Sequence, residues 1–361
     1  MAESMDRHIS MIRDLSNAFG PPGFEDDVLL LIRKYASDLG DIREDKLRNL
    51  YLYRAENSGR RPILMLDAHS DEVGFMVQSI NPDGTLTIIP LGGWNTNTLS
   101  SSRVIVRNSM GAFIPGVIAS KTIQNMDLEE RKNSLCTYSK LSVDIGSSSF
   151  DETVDSFGID IGDSCAPEGN FVFDEKRKLL WGKAFDCRLG CAALIETMKR
   201  LQGEPLPIDI VGVFSTQEEL GERGCRVAIT QVHPQIAICF EGSPADDTFV
   251  HDYKPQTVLK KGAMFRFFDK SIVCSPRFQR FVLDTAKNNN ISIQKGVRKH
   301  GGNNASVINT AYDGVPVVVA GIPVRYTHTC LSLASYEDFE LTVQIVTSIV
   351  RSLTREVIDS F

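Results

Sequence analysis

No apolar run in this 361-residue chain approaches the roughly 20 residues that a bilayer-spanning helix requires. No basic segment followed by an apolar stretch opens it, so no secretory leader of the usual form is indicated. The expectation is a cytosolic protein with no membrane partner. Its eight cysteines, Cys136, Cys165, Cys187, Cys191, Cys225, Cys239, Cys274 and Cys330, include no CxxC pair. In a reducing compartment they read as free thiols, several of them small core residues. Positive charge is in deficit, with a net charge of -7, which argues against a main role on nucleic acid or anionic membranes. Internal repeats, low-complexity tracts and linkers long enough to separate independent modules are all missing. What is left, 42% hydrophobic and 24% charged residues, is the make-up of an ordinary soluble globular protein with length for about two domains.

The chain is organised around Pro207 to Arg223, PIDIVGVFSTQEELGER. A nearly continuous apolar run, Ile208 to Phe214, reads as a strand buried on both faces of a parallel sheet. Two carboxylates, Glu218 and Glu219, follow it before Gly221. Ligands of such sheets sit beyond the carboxyl ends of the strands. Adjacent acids repel and are costly to desolvate, so at the lip of a buried strand they need a reason. A metal ion supplies one, holding one carboxylate as a ligand and leaving the other to take a proton from water. A helix start, where acids favour the first turn, explains the same pair equally well.

Helical spacing covers residues 5 to 19, ended by Gly20-Pro21-Pro22-Gly23, and Glu25 to Leu39. Strands are expected around Asn49 to Tyr53 and Ile63 to Leu66, the second running into Asp67-Ala68-His69-Ser70-Asp71-Glu72. From about 75 to 172 short β-like runs alternate with turns: Leu86 to Pro90, Val104 to Arg107, Ala112 to Ile118, Leu141 to Ile145 and Phe171 to Phe173. That pattern predicts a small β-barrel or sandwich interrupting an α/β domain. The polar stretch Asn125 to Thr137 reads as a mobile loop. Helix and strand then alternate: a helix at Leu189 to Leu201, a strand at Ile236 to Phe240 stopping at Glu241, a helix at Arg277 to Asn289, a strand at Val315 to Ala320 followed by Pro323 to His328, and a closing helix at Ser335 to Leu353.

What stands just past each apolar run forms a set. Ile63 to Leu66 delivers His69 and Asp71, Ile208 to Phe214 delivers Glu218 and Glu219, Ile236 to Phe240 delivers Glu241, and Val315 to Ala320 leads to His328. Asp186 precedes the helix at Leu189. Two imidazoles and three carboxylates, one of them bridging, suit two divalent ions with room for a shared water. Such ions lower the pKa of water from 15.7 towards roughly 7, and a nearby carboxylate can pass its proton to a leaving amine. Asp71 is placed to hold the other nitrogen of His69. Taken singly, each residue has a duller explanation: His69 as a core histidine, Glu241 and Asp186 as helix caps, His328 as part of a polar loop. Cys187 and Cys330 adjoin the set and are alternative zinc ligands, ranked lower because a hydrolytic pair uses oxygen and nitrogen donors. His8, His233, His251 and His300 read as solvated and are assigned nothing.

The strings HSDEVGFMVQSI at 69 to 80, LGGW at 91 to 94, GVIASK at 116 to 121, AFDCRLGCAAL at 184 to 194, STQEELGERG at 215 to 224 and IPVRYTHT at 322 to 329 resemble the tetrahedral cytosolic metallo-aminopeptidases. That family includes glutamyl and deblocking aminopeptidases and FrvX-like proteins, and some members carry the endoglucanase name. The resemblance runs from near the N-terminus to the last helix in the same order. It implies a three-layer α/β/α dinuclear metallopeptidase domain (1-74 and 173-361) with an inserted PDZ-like β-barrel for dimerisation (75-172). One metal would be held by His69 and Glu241 and the other by Glu219 and His328, with Asp186 bridging, Glu218 as general base and acid, and Asp71 orienting His69. The implied ions are zinc or cobalt, two per subunit. The implied substrates are short peptides, and dimers would build a hollow dodecamer. Related two-metal peptidases hold the bond after the bridging aspartate in cis, so Asp186-Cys187 is expected in cis.

The chain departs from this family where Asp usually stands at Glu241, a change that extends the carboxylate's reach by about an Å. The usual Asp-Asn-Arg is here Asp186-Cys187-Arg188, and Gly-Gly-Thr-Asp is Gly301-Gly302-Asn303-Asn304, which removes a negative charge near the expected substrate region. Pro-Pro-His is replaced by Thr122-Ile123-Gln124. The leading function is removal of N-terminal residues from short peptides. The alternatives are an amidohydrolase or deacylase using the same site on another acyl-amine substrate, and an assembly protein with weakened turnover. Glycoside hydrolysis needs two carboxylates but gives no role to His69 and His328.

Overall fold

The computed structural model describes residues 2–121, 123–128, 141–250 and 255–361. Asn125 to Thr137, expected as a loop, lies outside the described residues from position 129 onward, as do Cys136 and His251. Helices α1 (Ala2–Asn17) and α2 (Asp26–Ala36) precede strands β1 (Gly40–Glu44), β2 (Leu50–Arg54) and β3 (Ile63–His69). The chain then enters β4 (Gly74–Ile80), β5 (Leu86–Leu91), β6 (Arg103–Arg107), β7 (Phe113–Ile118), β8 (Ser142–Asp144) and β9 (Ser164–Pro167), which close into a barrel in the order β4-β5-β8-β7-β6-β9. It returns through β10 (Val172–Asp174), β11 (Leu179–Gly182), β12 (Asp209–Ser215), β13 (Ile236–Pro244), β14 (Ala263–Phe268), β15 (Ile293–Val297), β16 (Val317–Arg325) and β17 (Ser332–Ser335). The run Phe171 to Phe173 thus falls at β10, which pairs with β11 at the edge of the large sheet.

The large sheet runs β1-β2-β12-β3-β13-β16-β17-β11-β10, with β14 and β15 attached beside β16. Its centre, β12, β3, β13 and β16, is parallel, and all seven residues of β12 are buried. Alternate residues serve opposite faces. Leu64, Leu66, Ile210, Phe214, Ile238 and Phe240 pack under α1, α2 and the helices Phe185–Arg200, Pro276–Asn288 and Tyr336–Ser352. Met65, Val211, Val213, Cys239 and Val319 pack under Arg223–Val232 and Ala305–Asn309. Each such side chain taken from water contributes about 1.5–3 kcal/mol, so both faces must be covered, and three layers result.

The barrel has its own core, including Phe75, Val77, Leu86, Val104, Val106 and Val143. Trp94 stacks on Phe75 at 4.8 Å and donates from Nε1 to the Gly74 carbonyl at 3.0 Å. The fold class implied by the resemblance is therefore the one observed. The seven described cysteines are all free. Among the described residues no helix is long and apolar enough to cross a membrane.

Candidate metal centre

The carboxyl ends of the parallel strands meet at one edge. Ser215 pairs with His69, and Cys239 with Asp67. Two residues further along both β3 and β13, His69 and Glu241 therefore stand at one height and on one face of the sheet. Glu241 lies inside β13 rather than past its end, correcting the expected stop at Phe240: parallel pairing with β16 continues to Pro244. Gly242 follows because a Cβ there would meet the Asp186 Cα at 2.6 Å. The close approach brings Asp186, at the start of Phe185–Arg200, over the strand ends. The Asp186-Cys187 bond is cis, as expected.

Beyond β12 the chain turns through Gln217 in the left-handed region (φ 54) into a short 3-10 turn, Glu218–Leu220. Asp71 Oδ1 and Oδ2 accept the backbone N–H groups of Glu218 and Glu219 at 3.0 and 3.1 Å. His328 follows β16, also left-handed at φ 57.

These segments converge. His69 Nε2 lies 3.2 Å from Asp186 Oδ1 and 3.9 Å from Glu241 Oε1. His328 Nε2 lies 3.5 Å from Asp186 Oδ2 and 3.2 Å from Glu219 Oε1. Donor atoms of His69, Asp186, Cys187 and Glu241 all fall within 4.8 Å of one another, as do those of Asp186, Glu219 and His328, and of His69, Glu218 and Glu219. Asp186 faces both imidazoles. His328 is held by its other nitrogen, Nδ1, 2.7 Å from the Gly93 carbonyl oxygen, while His69 Nδ1 faces Asp71 Oδ1 at 3.3 Å, a charge contact without hydrogen-bond alignment. A carbonyl only accepts, so the His328 Nδ1 carries a proton, and its Nε2 faces inward as the nitrogen that would bind a cation on losing its own.

The electrostatics show what the cluster needs. Burial pushes Glu218, Glu219 and Glu241 up, and neighbouring acids add to it: Glu219, Glu241 and Asp71 for the first, Asp186 for the other two. Burial opposes charge on the imidazoles too. Asp186 and Asp71 nevertheless hold His69 well above its ordinary value, and Glu219 and Asp186 raise His328 to about 11. Asp186 alone is depressed, because both imidazoles outweigh its own burial. Three glutamates crowded at one buried edge, Glu218, Glu219 and Glu241, thus draw protons for lack of positive charge, the condition a bound cation relieves.

A cavity of about 490 Å³ opens on this edge, lined by Glu218, Glu219, Glu241 and His328 on one side and Arg266, Arg298 and His300 on the other. Arg266 pairs with Asp269 at 3.0 Å. Arg298 bonds to the Pro244 carbonyl and the Thr257 hydroxyl, and among the described residues no carboxylate pairs with it.

All seven residues singled out by the strand-end pattern come together. Several expectations do not survive. Asn303 and Asn304 are buried beneath the strand ends, not in the cavity wall: Asn304 donates to Asp67 at 2.7 Å and Ser215 at 2.8 Å. His8 is fully buried, with Tyr336 Oη at 2.9 Å and Glu196 Oε2 at 3.1 Å. Those partners lie far off in sequence, so no local signal marks it. His233, by contrast, is exposed as expected and stacks on Tyr312. Cys330 belongs to none of the donor groups, whereas Cys187 joins one while donating to the Phe240 carbonyl at 3.3 Å. Sequence reasoning missed Gly93, which acts through its backbone alone, and Glu25, read as part of a helix.

The model of a family described as M42 glutamyl aminopeptidase matches residues 49–345. The glutamyl aminopeptidase of Lactococcus lactis subsp. cremoris is 31% identical over 346 residues, covering 96% of each chain. The solved TET aminopeptidase of a marine sediment archaeon, Thaumarchaeota archaeon SCGC AB-539-E09, superposes with a TM-score of 0.94 at 32% identity over 99% of both chains. The TET1 peptidase of Pyrococcus horikoshii, described as able to assemble into a tetrahedron or a large octahedral shell, matches with a TM-score of 0.85 at 27% identity over 96% of this chain and 100% of its own.

Proposed function

Since this chain belongs to the M42 glutamyl aminopeptidase family, and with it to the peptide hydrolases, we propose that it removes the N-terminal residue of short peptides at a two-cation site on this sheet edge. The donor set fits such a pair: imidazole and carboxylate atoms on both sides of Asp186, and an excess of buried negative charge. His69 and Glu241 would hold one cation and Glu219 and His328 the other, with Asp186 shared. Zinc or cobalt suits these ligands.

Such cations supply the positive charge that acidifies water and polarises a peptide carbonyl. Glu218 is left outside both ligand sets. Its carboxylate takes the proton of the attacking water and returns it to the leaving amine. Asp71 serves twice, orienting His69 through Nδ1 and fixing the backbone of Glu218 and Glu219. A peptide entering this cavity would turn its N-terminal amine towards the carboxylates that line it.

Arg298, a cation without a carboxylate partner among the described residues, and the neighbouring Arg266 and His300 favour an acidic side chain at the peptide's first position. That agrees with the glutamyl preference in the name of the Lactococcus lactis relative. Exposed Met110, Phe150 and Ile161 on the barrel would supply the apolar surface for dimers and for a dodecamer, a closed assembly of the kind the TET1 peptidase forms as a tetrahedron or octahedral shell.

The observation that carries this reading is Asp186 facing both imidazoles. Its test is Glu218→Gln, expected to keep two equivalents of zinc while aminopeptidase activity on glutamyl and aspartyl p-nitroanilides falls at least about 10²-fold. Full activity in this variant would remove Glu218 as the base. Faster turnover of leucyl or lysyl substrates by the wild type would remove the acidic preference.

A further inference from the structure

Glu25 is a carboxylate with no role so far, yet it is only 2% exposed. It stands at the N-cap position of α2 without capping it. Its Oε1 accepts instead from Gly23 N at 2.9 Å and from Gln217 N at 3.1 Å, across 192 positions of sequence. The local sequence builds the approach. Pro21-Pro22-Gly23-Phe24 closes a tight turn, with Phe24 N donating to Pro21 O at 2.9 Å and Gly23 at φ 89, a value glycine adopts without strain. The turn is fastened to the centre on its other side. Glu72 N donates to Gly20 O at 3.0 Å, and Arg188 donates to the same carbonyl at 3.2 Å.

Three successive amides, Gln217, Glu218 and Glu219, therefore each end on a buried carboxylate, the first on Glu25 and the next two on Asp71. Gln217 needs the help. A side chain in the left-handed region costs roughly 1–2 kcal/mol, and Gln217 initiates the turn that aims Glu218. Two buried acids near one another also repel. Burial first, and then Asp71, push Glu25 up to about 7, while the Gly23 and Gln217 amides pull the other way. An arrangement that opposes its own electrostatics is held by those N–H groups.

We propose that Glu25 is a positioning residue which, with Asp71, clamps the Gln217–Glu219 backbone and so fixes the direction in which Glu218 presents its carboxylate. This rests on the reading of Glu218 as the proton carrier. Glu25 touches neither substrate nor cation.

The test compares Glu25→Ala, Glu25→Asp and Glu25→Gln in the full-length, zinc-loaded protein. It reads kcat and KM, zinc content, and backbone hydrogen exchange of the peptide spanning residues 216 to 222. Glu25→Ala should exchange faster in that segment and lose at least about 10-fold in kcat, with KM within about twofold and zinc content unchanged. Glu25→Asp, which withdraws the acceptor by about 1.5 Å, should show the same split more weakly and serves if the alanine variant fails to fold. Glu25→Gln keeps an oxygen for the same N–H and should retain most of kcat and the protection. Wild-type exchange in Glu25→Ala or Glu25→Asp overturns the clamp. So does an equal loss in Glu25→Gln and Glu25→Asp, or a loss that follows zinc content. Because exchange is read without turnover, an active Glu218→Gln would sink the function and leave the clamp separately decided.

Discussion

The two halves of the proposed centre are made by different means. His69 and Glu241 are placed by strand register, at one height on neighbouring parallel strands, and both are nearly inaccessible. Glu219 and His328 come from segments beyond their strands, and 36% of the His328 side chain is exposed. His328 is oriented by a carbonyl of the β5–β6 loop, Gly93, so the second half depends on how the barrel sits against the sheet. One half is a product of the core and the other of a seam. Rigid placement suits a permanent ligand pair, while a seam lets a site be tuned without disturbing the sheet.

The largest effect should come from the residue the halves share. Asp186→Ala is expected to lose both cations and at least about 10³-fold in activity, several kcal/mol of transition-state stabilisation. One firmly held equivalent remaining would show that Asp186 belongs to a single half. Next, the halves should part under single substitution. His328→Ala should keep one zinc and lose less stability than His69→Ala, because its partly exposed position lets water replace the ring beside Glu219. His69→Ala should lose a cation and about 1–3 kcal/mol of stability, because it leaves buried acids unpaired. Equal stabilities measured by denaturant unfolding would erase the distinction. The smallest effect tests the seam. Trp94→Ala frees the segment that carries Gly93 and should weaken the second cation by about 10–100-fold, leaving the first as it was in a competitive chelator titration. Equal weakening of both would mean that the barrel does not selectively support His328.

How legible each half was follows from the same difference. Apolar runs ending in His69, Glu219 and Glu241 could be read directly, since strands buried on both faces announce themselves and their polar successors stand out. The limits of β13 and β16 could not. Glu241-Gly242-Ser243-Pro244 looks like a strand's end, but parallel pairing with Gly321 to Val324 carries β13 on. Strand β9, Ser164-Cys-Ala-Pro167, is too short and too poor in β-branched residues to be seen alone; two neighbours, β4 and β6, define it. Asp67 reads in the sequence as one member of a polar string, yet it is fully buried, and burial raises it to about 6 against its bonds to Asn304 and Ser215. The partners of His8, Glu25 and His328 lie 188, 192 and 235 positions away and existed in the sequence only as separate residues. The roles of Asp71 towards two backbone amides, and of Gly93 towards a ring nitrogen, are carried by main-chain atoms, which no residue type reports.

The central claim is that one aspartate joins two cations. Anomalous scattering at the zinc edge from crystals of the zinc-loaded protein tests it most directly. Two peaks about 3.5–4 Å apart, astride Asp186, one beside His69 and the other beside His328, are the predicted result. A single peak, or two that leave Asp186 outside coordinating distance of either, would contradict it.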